Sequence, residues 1–179
     1  MLSIISSADH DTLKKIQAEM IIRKTCELFI FFGFGSQTDG LIFTHLVNTG
    51  VFCVPANPAT MTAQDVNELK ASGLIGMIGS GGPYSVYSET EKVPFDANIF
   101  ETGIPFLGIC LSFQMWAHHL GAKVAPAKIK DYNPVAKMFL SDTEAPLFQG
   151  LPSSFTMGQS HSDEILEFPG FHVTAKTDV

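Results

Sequence analysis

Gly103-Ile104-Pro105-Phe106-Leu107-Gly108-Ile109-Cys110-Leu111-Ser112-Phe113-Gln114-Met115-Trp116-Ala117-His118-His119-Leu120-Gly121 changes texture at its middle. Up to Ile109 it is an apolar run of strand length; from Leu111 the pattern is helical, with Gly121 as a left-handed stop. Cys110 is therefore expected where a strand over 105–109 turns sharply into a helix. A side chain at such a turn projects from the carboxyl edge of a sheet, and the unpaired N–H groups that open the helix favour a thiolate over a thiol. The same N–H groups can hold an oxyanion once the sulfur attacks a carbonyl.

Working outward, strands and helices alternate: strand 28–32, helix 38–49, strand 51–54, helix 62–71, strand 74–78, a helix over 96–101, then the strand that leads to Cys110. This rhythm predicts an α/β fold, an open and mostly parallel sheet with helices on its faces. Ahead of it, 9–24 reads as an amphipathic helix capped by Asp9 or Asp11, with Leu13, Ile16, Met20 and Ile21 as its apolar stripe, and is expected to be an appendage. After Gly121 the texture shifts to short β-like pieces, 135–140, 155–157 and 171–175, between Pro, Gly and Ser turns, a β-rich excursion rather than a second domain.

Composition bounds the function. At 179 residues the chain buries a single domain's core, and its longest apolar runs fall short of the roughly 20 residues of a membrane span. The net charge of -7 and the lack of a basic stripe argue against nucleic acid as a partner. Cys26, Cys53 and Cys110 form an odd set without C-x-x-C spacing, which fits a reducing, cytoplasmic setting. The N-terminus lacks the basic start and long apolar centre of a secretory signal. Cys26 and Cys53 are expected to be buried as small apolar side chains.

Gly79-Ser80-Gly81-Gly82-Pro83 follows the strand 74–78 and so emerges at the same sheet edge as Cys110, where open α/β sheets place ligands. Bare N–H groups at Gly81 and Gly82, with that of Leu111, would complete an oxyanion hole, although glycines there also suit a plain turn. Gln114, one helical turn after Cys110, lies on the same face; it reads equally as a polar helix residue. Ser80-Gly81-Gly82-Pro83-Tyr84-Ser85 is also similar to the S-G-G-x-D-S pyrophosphate loop of ATP pyrophosphatases. Tyr84 replaces the Asp and Pro83 removes a donor, so ATP binding in this chain is not expected.

Four pieces taken together, Phe34-Gly35-Ser36-Gln37, Ser80-Gly81-Gly82-Pro83 with Ser85-Val86-Tyr87, Gly108-Ile109-Cys110 with Gln114, and Ser160-His161-Ser162-Asp163, resemble the class I glutamine amidotransferases, most closely the glutaminase half of GMP synthetases. The resemblance runs from Leu28 to the C-terminus, which implies a glutamine amidotransferase domain over 28–179, of flavodoxin-like three-layer build, behind a helical extension over 1–27. It implies that Cys110 attacks the glutamine side-chain amide, forming a thioester and releasing ammonia. Gly81, Gly82, Leu111, Gln114, Ser160 and His161 would bind substrate or oxyanion. No metal is expected in this chain. ATP and magnesium would belong to a synthetase partner or further domain that converts XMP to GMP in purine biosynthesis.

Two departures from the family pattern bear on activity. Ser162 stands where the family has Gly, so the S-H-G-D loop is expected to follow an altered path if that Gly needs a positive φ. Ser112 replaces the Gly usual two residues after the nucleophile, where close approach of the helix favours no side chain. The family's catalytic His and Glu lie in a Q-F-H-P-E motif that does not occur in this sequence, which reads as C-terminally incomplete. His118 and His119 lie too far along the helix to take the thiol proton, and read as packing or surface residues. His161, with Asp163 or Glu164 to orient it, is the one substitute base the resemblance places near the site.

Three readings stay open: a glutaminase that feeds a separate synthetase chain, a glutamine-binding or interaction module with impaired catalysis, and another cysteine hydrolase of this architecture such as a γ-glutamyl hydrolase relative. A sheet edge or core face left uncovered at the C-terminal end would favour association between copies.

Overall fold

The computed structural model describes residues 3–88, 90, 92–131, 135–167 and 170–177. It divides into two compact units, Met1–His119 and Leu120–Val179. The boundary falls where the α/β texture of the sequence gives way to the β-rich C-terminal excursion.

The first unit is built on β1 (Leu28–Phe32), five apolar residues in a row that are suited to burial on both faces. β1 pairs in parallel with β2 (Cys53–Ala56) and with β3 (Leu74–Gly79), and β4 (Phe106–Gly108) adds beyond β3, giving the order β2-β1-β3-β4. Alternation sorts the side chains. Leu28, Ile30 and Phe32 enter one core with Val54, Met77, Val66, Leu69 and Leu111, whereas Phe29 and Phe31 enter a smaller one with Cys53, Ile78, Ile42, Phe43 and Leu46. The larger core is covered by α1 (His10–Arg23), α3 (Ala63–Ala71) and the start of α4 (Leu111–His119); the smaller lies under α2 (Asp39–Asn48). The parallel sheet with helices on both faces is the expected α/β architecture.

Local chemistry sets the helix boundaries. Asp9 caps α1 by accepting from the Thr12 N–H at 2.8 Å, which settles the choice between Asp9 and Asp11. Thr62 and Asp65 form a reciprocal capping box at the start of α3. Residues 96–101 form a short 3-10 helix, Ala97–Glu101, capped by Asp96.

The N-terminal segment is not an appendage. Ile5 bridges to Ala56 at the outer edge of β2, the Ala8 N–H donates to Asp65 at 2.7 Å, and Ile16 and Met20 are core residues. The stripe of α1 is narrower than expected: Ile21 is 78% exposed, because Leu13, Ile16 and Met20 already fill the face toward the sheet. Cys26 is exposed as well, since it falls in the turn between α1 and β1 rather than on an element face; Cys53 is buried as expected.

In the second unit, β5 (Val124–Asp131) pairs antiparallel with β8 (His161–Ile165). β6 (Ala136–Leu140) lies between β7 (Ser154–Met157) and β9 (Ala175–Thr177), also antiparallel. β5 and β8 are strands that the apolar patterning does not indicate. The expected strand over 171–175 pairs only from Ala175 onward.

Asp65 makes a test of these boundaries. Burial raises its carboxyl pKa, but donors from Ala8 and Thr62 outweigh that and hold it below the usual carboxylate range. Asp96 is likewise lowered, first by the Ala63 N–H, which it binds at 2.8 Å. A pKa depressed in the folded state contributes stability that is present above the unfolded value of about 3.9 and lost as pH falls through the folded value. D65A is expected to cost about 1–2 kcal/mol at pH 7 by urea unfolding and to lose less further stability than wild type between pH 5 and 3. Parallel acid losses in the two proteins would contradict this.

Candidate functional site

Cys110 has φ 54, and Lys24, the C-cap of α1, is the other described non-glycine residue with positive φ. The left-handed conformation costs an L-residue about 1–2 kcal/mol, so it persists only where the flanking chain imposes it. Here both flanks are pinned. The Ile109 N–H donates to the Gly79 carbonyl at 3.0 Å, and the Cys110 carbonyl accepts from the Gln114 N–H at 3.0 Å to open α4. The cysteine is thereby held at the carboxyl end of β4, half-buried, at the strand-to-helix turn the sequence predicts.

The glycine loop comes to it from β3. Ser80, fully buried, ties the loop to the end of β1: its N–H donates to the Phe32 carbonyl, its Oγ accepts from the Phe34 N–H at 3.0 Å, and the same Oγ donates to the Gly81 carbonyl. A Cβ placed on Gly81 would lie 3.4 Å from the Cys110 Cβ and 3.7 Å from its Sγ, so the Gly81 backbone faces the sulfur directly. At Gly82 there is no room at all: a Cβ would come within 2.4 Å of the Phe34 carbonyl oxygen and 2.8 Å of Leu111 Cδ2. The loop is wedged between the β1 turn and α4. Across the turn, the Asp39 carboxylate accepts from the Gly35 N–H at 3.0 Å and fixes the Phe34-Gly35-Ser36 segment.

Leu111 occupies the first position of α4, where the N–H has no intrahelical partner. Gln114 is buried, 7% exposed, rather than an exposed polar helix residue. Ser112 is fully buried, and its hydroxyl is used: it donates to the Gly79 carbonyl at 2.7 Å and accepts from the Ile109 N–H at 2.9 Å. The expected demand for an absent side chain is met from the opposite side, since a Cβ on Gly79 would stand 2.6 Å from the Ser112 Cβ. Cys110, Gly81, Gly82, Leu111 and Gln114 are thus brought together within the first unit.

Ser160 and His161 belong to the second unit. Ser160 immediately precedes β8, and His161, Ser162 and Asp163 lie in that strand rather than in a loop. Ser162 does not have a positive φ, so strand pairing removes the conformational demand expected of a glycine there. His161 Nδ1 is buried with no hydrogen-bond partner among the described residues, so neither Asp163 nor Glu164 orients the ring at that nitrogen. His118 is exposed and His119 bonds Glu101 at 3.1 Å against the Phe100 ring; both line a cavity of about 270 Å³ with Phe95, Phe100 and Met115. His118 lies eight positions beyond Cys110, roughly 12 Å of helical rise. No group of three or more His, Cys, Asp or Glu among the described residues could hold a metal ion, and no helix there is long and apolar enough to cross a membrane.

The roles of Ser80 and Ser112 are not visible in the sequence pattern, where Ser80 reads as a small motif residue and Ser112 as a departure from the family's Gly. The signal available was the pairing of each buried serine with a glycine at a strand end. In chemical terms the first unit presents a sulfur faced by bare peptide groups at a helix N-terminus, an arrangement suited to attack on a carbonyl whose oxygen becomes charged.

Residues 30–179 match the family model described as glutamine amidotransferase class-I. The chain is 40% identical over 146 residues to a GMP synthase (glutamine-hydrolyzing) of Enterococcus faecalis and 41% over 150 residues to that of Listeria innocua, covering 81% and 83% of this chain. It spans only 27% and 28% of the length of those relatives. Among solved structures, a putative GMP synthase component from Thermoplasma acidophilum superposes with TM-score 0.67 at 27% identity, over 85% of this chain and 74% of that one. A glutamine amidotransferase from Thermotoga maritima shares the fold at TM-score 0.61 and 21% identity, over 80% of this chain and 64% of that one.

Two outcomes are expected from this geometry. G82A should destabilise the protein by about 1–3 kcal/mol in urea unfolding through overpacking, more than G81A, whose Cβ meets only ordinary van der Waals contacts; equal losses would contradict the wedged loop. Burial pushes the Cys53 thiol up to about 12. Iodoacetamide at pH 8 should therefore modify Cys26 and Cys110 in the native protein and leave Cys53 intact until it is unfolded, as read by peptide mass spectrometry; early loss of Cys53 would count against its buried placement.

Proposed function

The chain belongs to the class I glutamine amidotransferases, and on that premise we propose that it is the glutaminase part of a GMP-forming enzyme. It acts in the cytoplasm, releasing ammonia from glutamine for the amination of XMP. The observation that carries this reading is the left-handed elbow at Cys110 beside Gly81, where a Cβ would lie 3.7 Å from the sulfur.

The chemistry follows from the groups in place. The Cys110 thiolate attacks the side-chain carbonyl carbon of glutamine, and the carbonyl oxygen takes up the negative charge. The Leu111 N–H, at the open end of α4, and N–H groups of Gly81-Gly82 hold that oxyanion. The C–N bond then breaks, the nitrogen gains a proton and leaves as ammonia, and the γ-glutamyl group stays on sulfur as a thioester. Water attacks the thioester, the C–S bond breaks, and glutamate departs with the thiol restored. Gln114 holds the substrate from within the first unit, and the family resemblance assigns Ser160 and His161 to substrate binding as well. ATP and magnesium belong to the synthetase part, in a partner chain or in sequence beyond this one.

A second reading, a glutamine-binding module with impaired turnover, is favoured by one feature: His161 Nδ1 is buried with no hydrogen-bond partner among the described residues. The two readings part in a single experiment. Glutamate release by the wild-type chain that falls at least 100-fold in C110A, with glutamine binding retained by calorimetry, is the outcome expected of the glutaminase. Binding without release supports the module, and neither binding nor release sinks both.

A further inference from the structure

The first turn of α4 sits against the carboxyl ends of β3 and β4 at a spot where two glycines, Gly79 and Gly108, face each other across the ladder. A Cβ on Gly108 would lie 2.6 Å from the backbone of Phe113, and one on Gly79 would strike Ser112. Into this flat spot the Ser112 side chain projects with zero exposure. Its hydroxyl donates to the Gly79 carbonyl at 2.7 Å and accepts from the Ile109 N–H at 2.9 Å, while its own N–H donates to the Ser80 carbonyl at 3.3 Å. One residue therefore binds the last residue of β3, the first residue of the glycine loop and the residue before the nucleophile.

We propose that Ser112 is a positioning residue: its hydroxyl bridges the ends of β3 and β4 beneath Cys110 and sets the distance between the sulfur and the Gly81-Gly82 backbone. The inference rests on the reading of Cys110 as the nucleophile. The physical reason is over-determination. Cys110 occupies a left-handed conformation that relaxes unless its flanks are pinned, and Ser112 supplies the side-chain tie that joins both flanks to β3. Without the hydroxyl, the Ile109 carbonyl loses its bond from Ser112 Oγ at 3.2 Å, but the Ile109 N–H keeps its bond to the Gly79 carbonyl at 3.0 Å, so the backbone tie between β3 and β4 survives. What changes is how well the helix N–H groups are aimed at the sulfur.

The test uses the full chain and reads Cys110 rather than stability. The pH profile of Cys110 alkylation by iodoacetamide, followed by peptide mass spectrometry, is compared for wild type, S112A and S112G, with thermal melting to establish that each variant is folded. The expected result is a midpoint displaced upward and a rate at pH 7 at least threefold lower in both variants; superimposable profiles would overturn the proposal. In the wild type, where folding is not in question, hydrogen exchange at the Ile109 amide should be among the slowest in the chain, and rapid exchange there would also overturn it. A chloromethyl ketone analogue of glutamine, in which Cys110 sulfur displaces chloride, separates this inference from the reading it rests on. If wild-type Cys110 reacts no faster with the analogue than exposed Cys26 does, the glutaminase reading fails while the iodoacetamide profiles still decide the role of Ser112. If the analogue labels wild type efficiently and both variants equally well, the glutaminase reading stands and the positioning role falls.

Discussion

The close approach of α4 to the ends of β3 and β4 is the constraint on which the first unit's site depends. It is possible only because Gly79 and Gly108 have no side chains, and it holds Cys110 in a backbone conformation that an isolated strand-to-helix turn would not keep. From that contact the other placements follow. The helix N-terminus is fixed against the sheet, the Leu111 side chain closes over Gly82, and the glycine loop is left with a single path between β1 and α4.

Two buried serines turn this packing into a connected polar network. Ser80 links the loop to the end of β1, and Ser112 links the nucleophile's turn to the end of β3. Buried hydroxyls carry a desolvation cost that only complete hydrogen bonding offsets. Both are satisfied by backbone groups, so each specifies the geometry of main chain rather than of another side chain. Positions of N–H groups are what an oxyanion site requires.

Much of this was legible in the residues because local signals and tertiary packing agree. β1 is a run of five apolar residues and forms as read, the capping residues of α3 mark its start, and the change of texture at Cys110 marks the elbow. The failures have physical causes. β5 carries Pro126 and β8 is the polar run His161–Ile165, so neither shows apolar alternation; each is a strand because it pairs with the other. Ile21 lies at helical spacing from core residues and still faces water, since periodicity does not say how wide a face the sheet can cover. Ser112 reads as a misfit until the glycine opposite it is seen.

The proposed chemistry comes to one covalent species. Acid quenching of the wild-type chain seconds after mixing with glutamine, followed by mass spectrometry of the cysteine-containing peptides, should find one γ-glutamyl group on the peptide that carries Cys110 and none on those of Cys26 and Cys53. Glutamate accumulating with no such adduct, and persisting when Cys110 is replaced by alanine, would contradict the account.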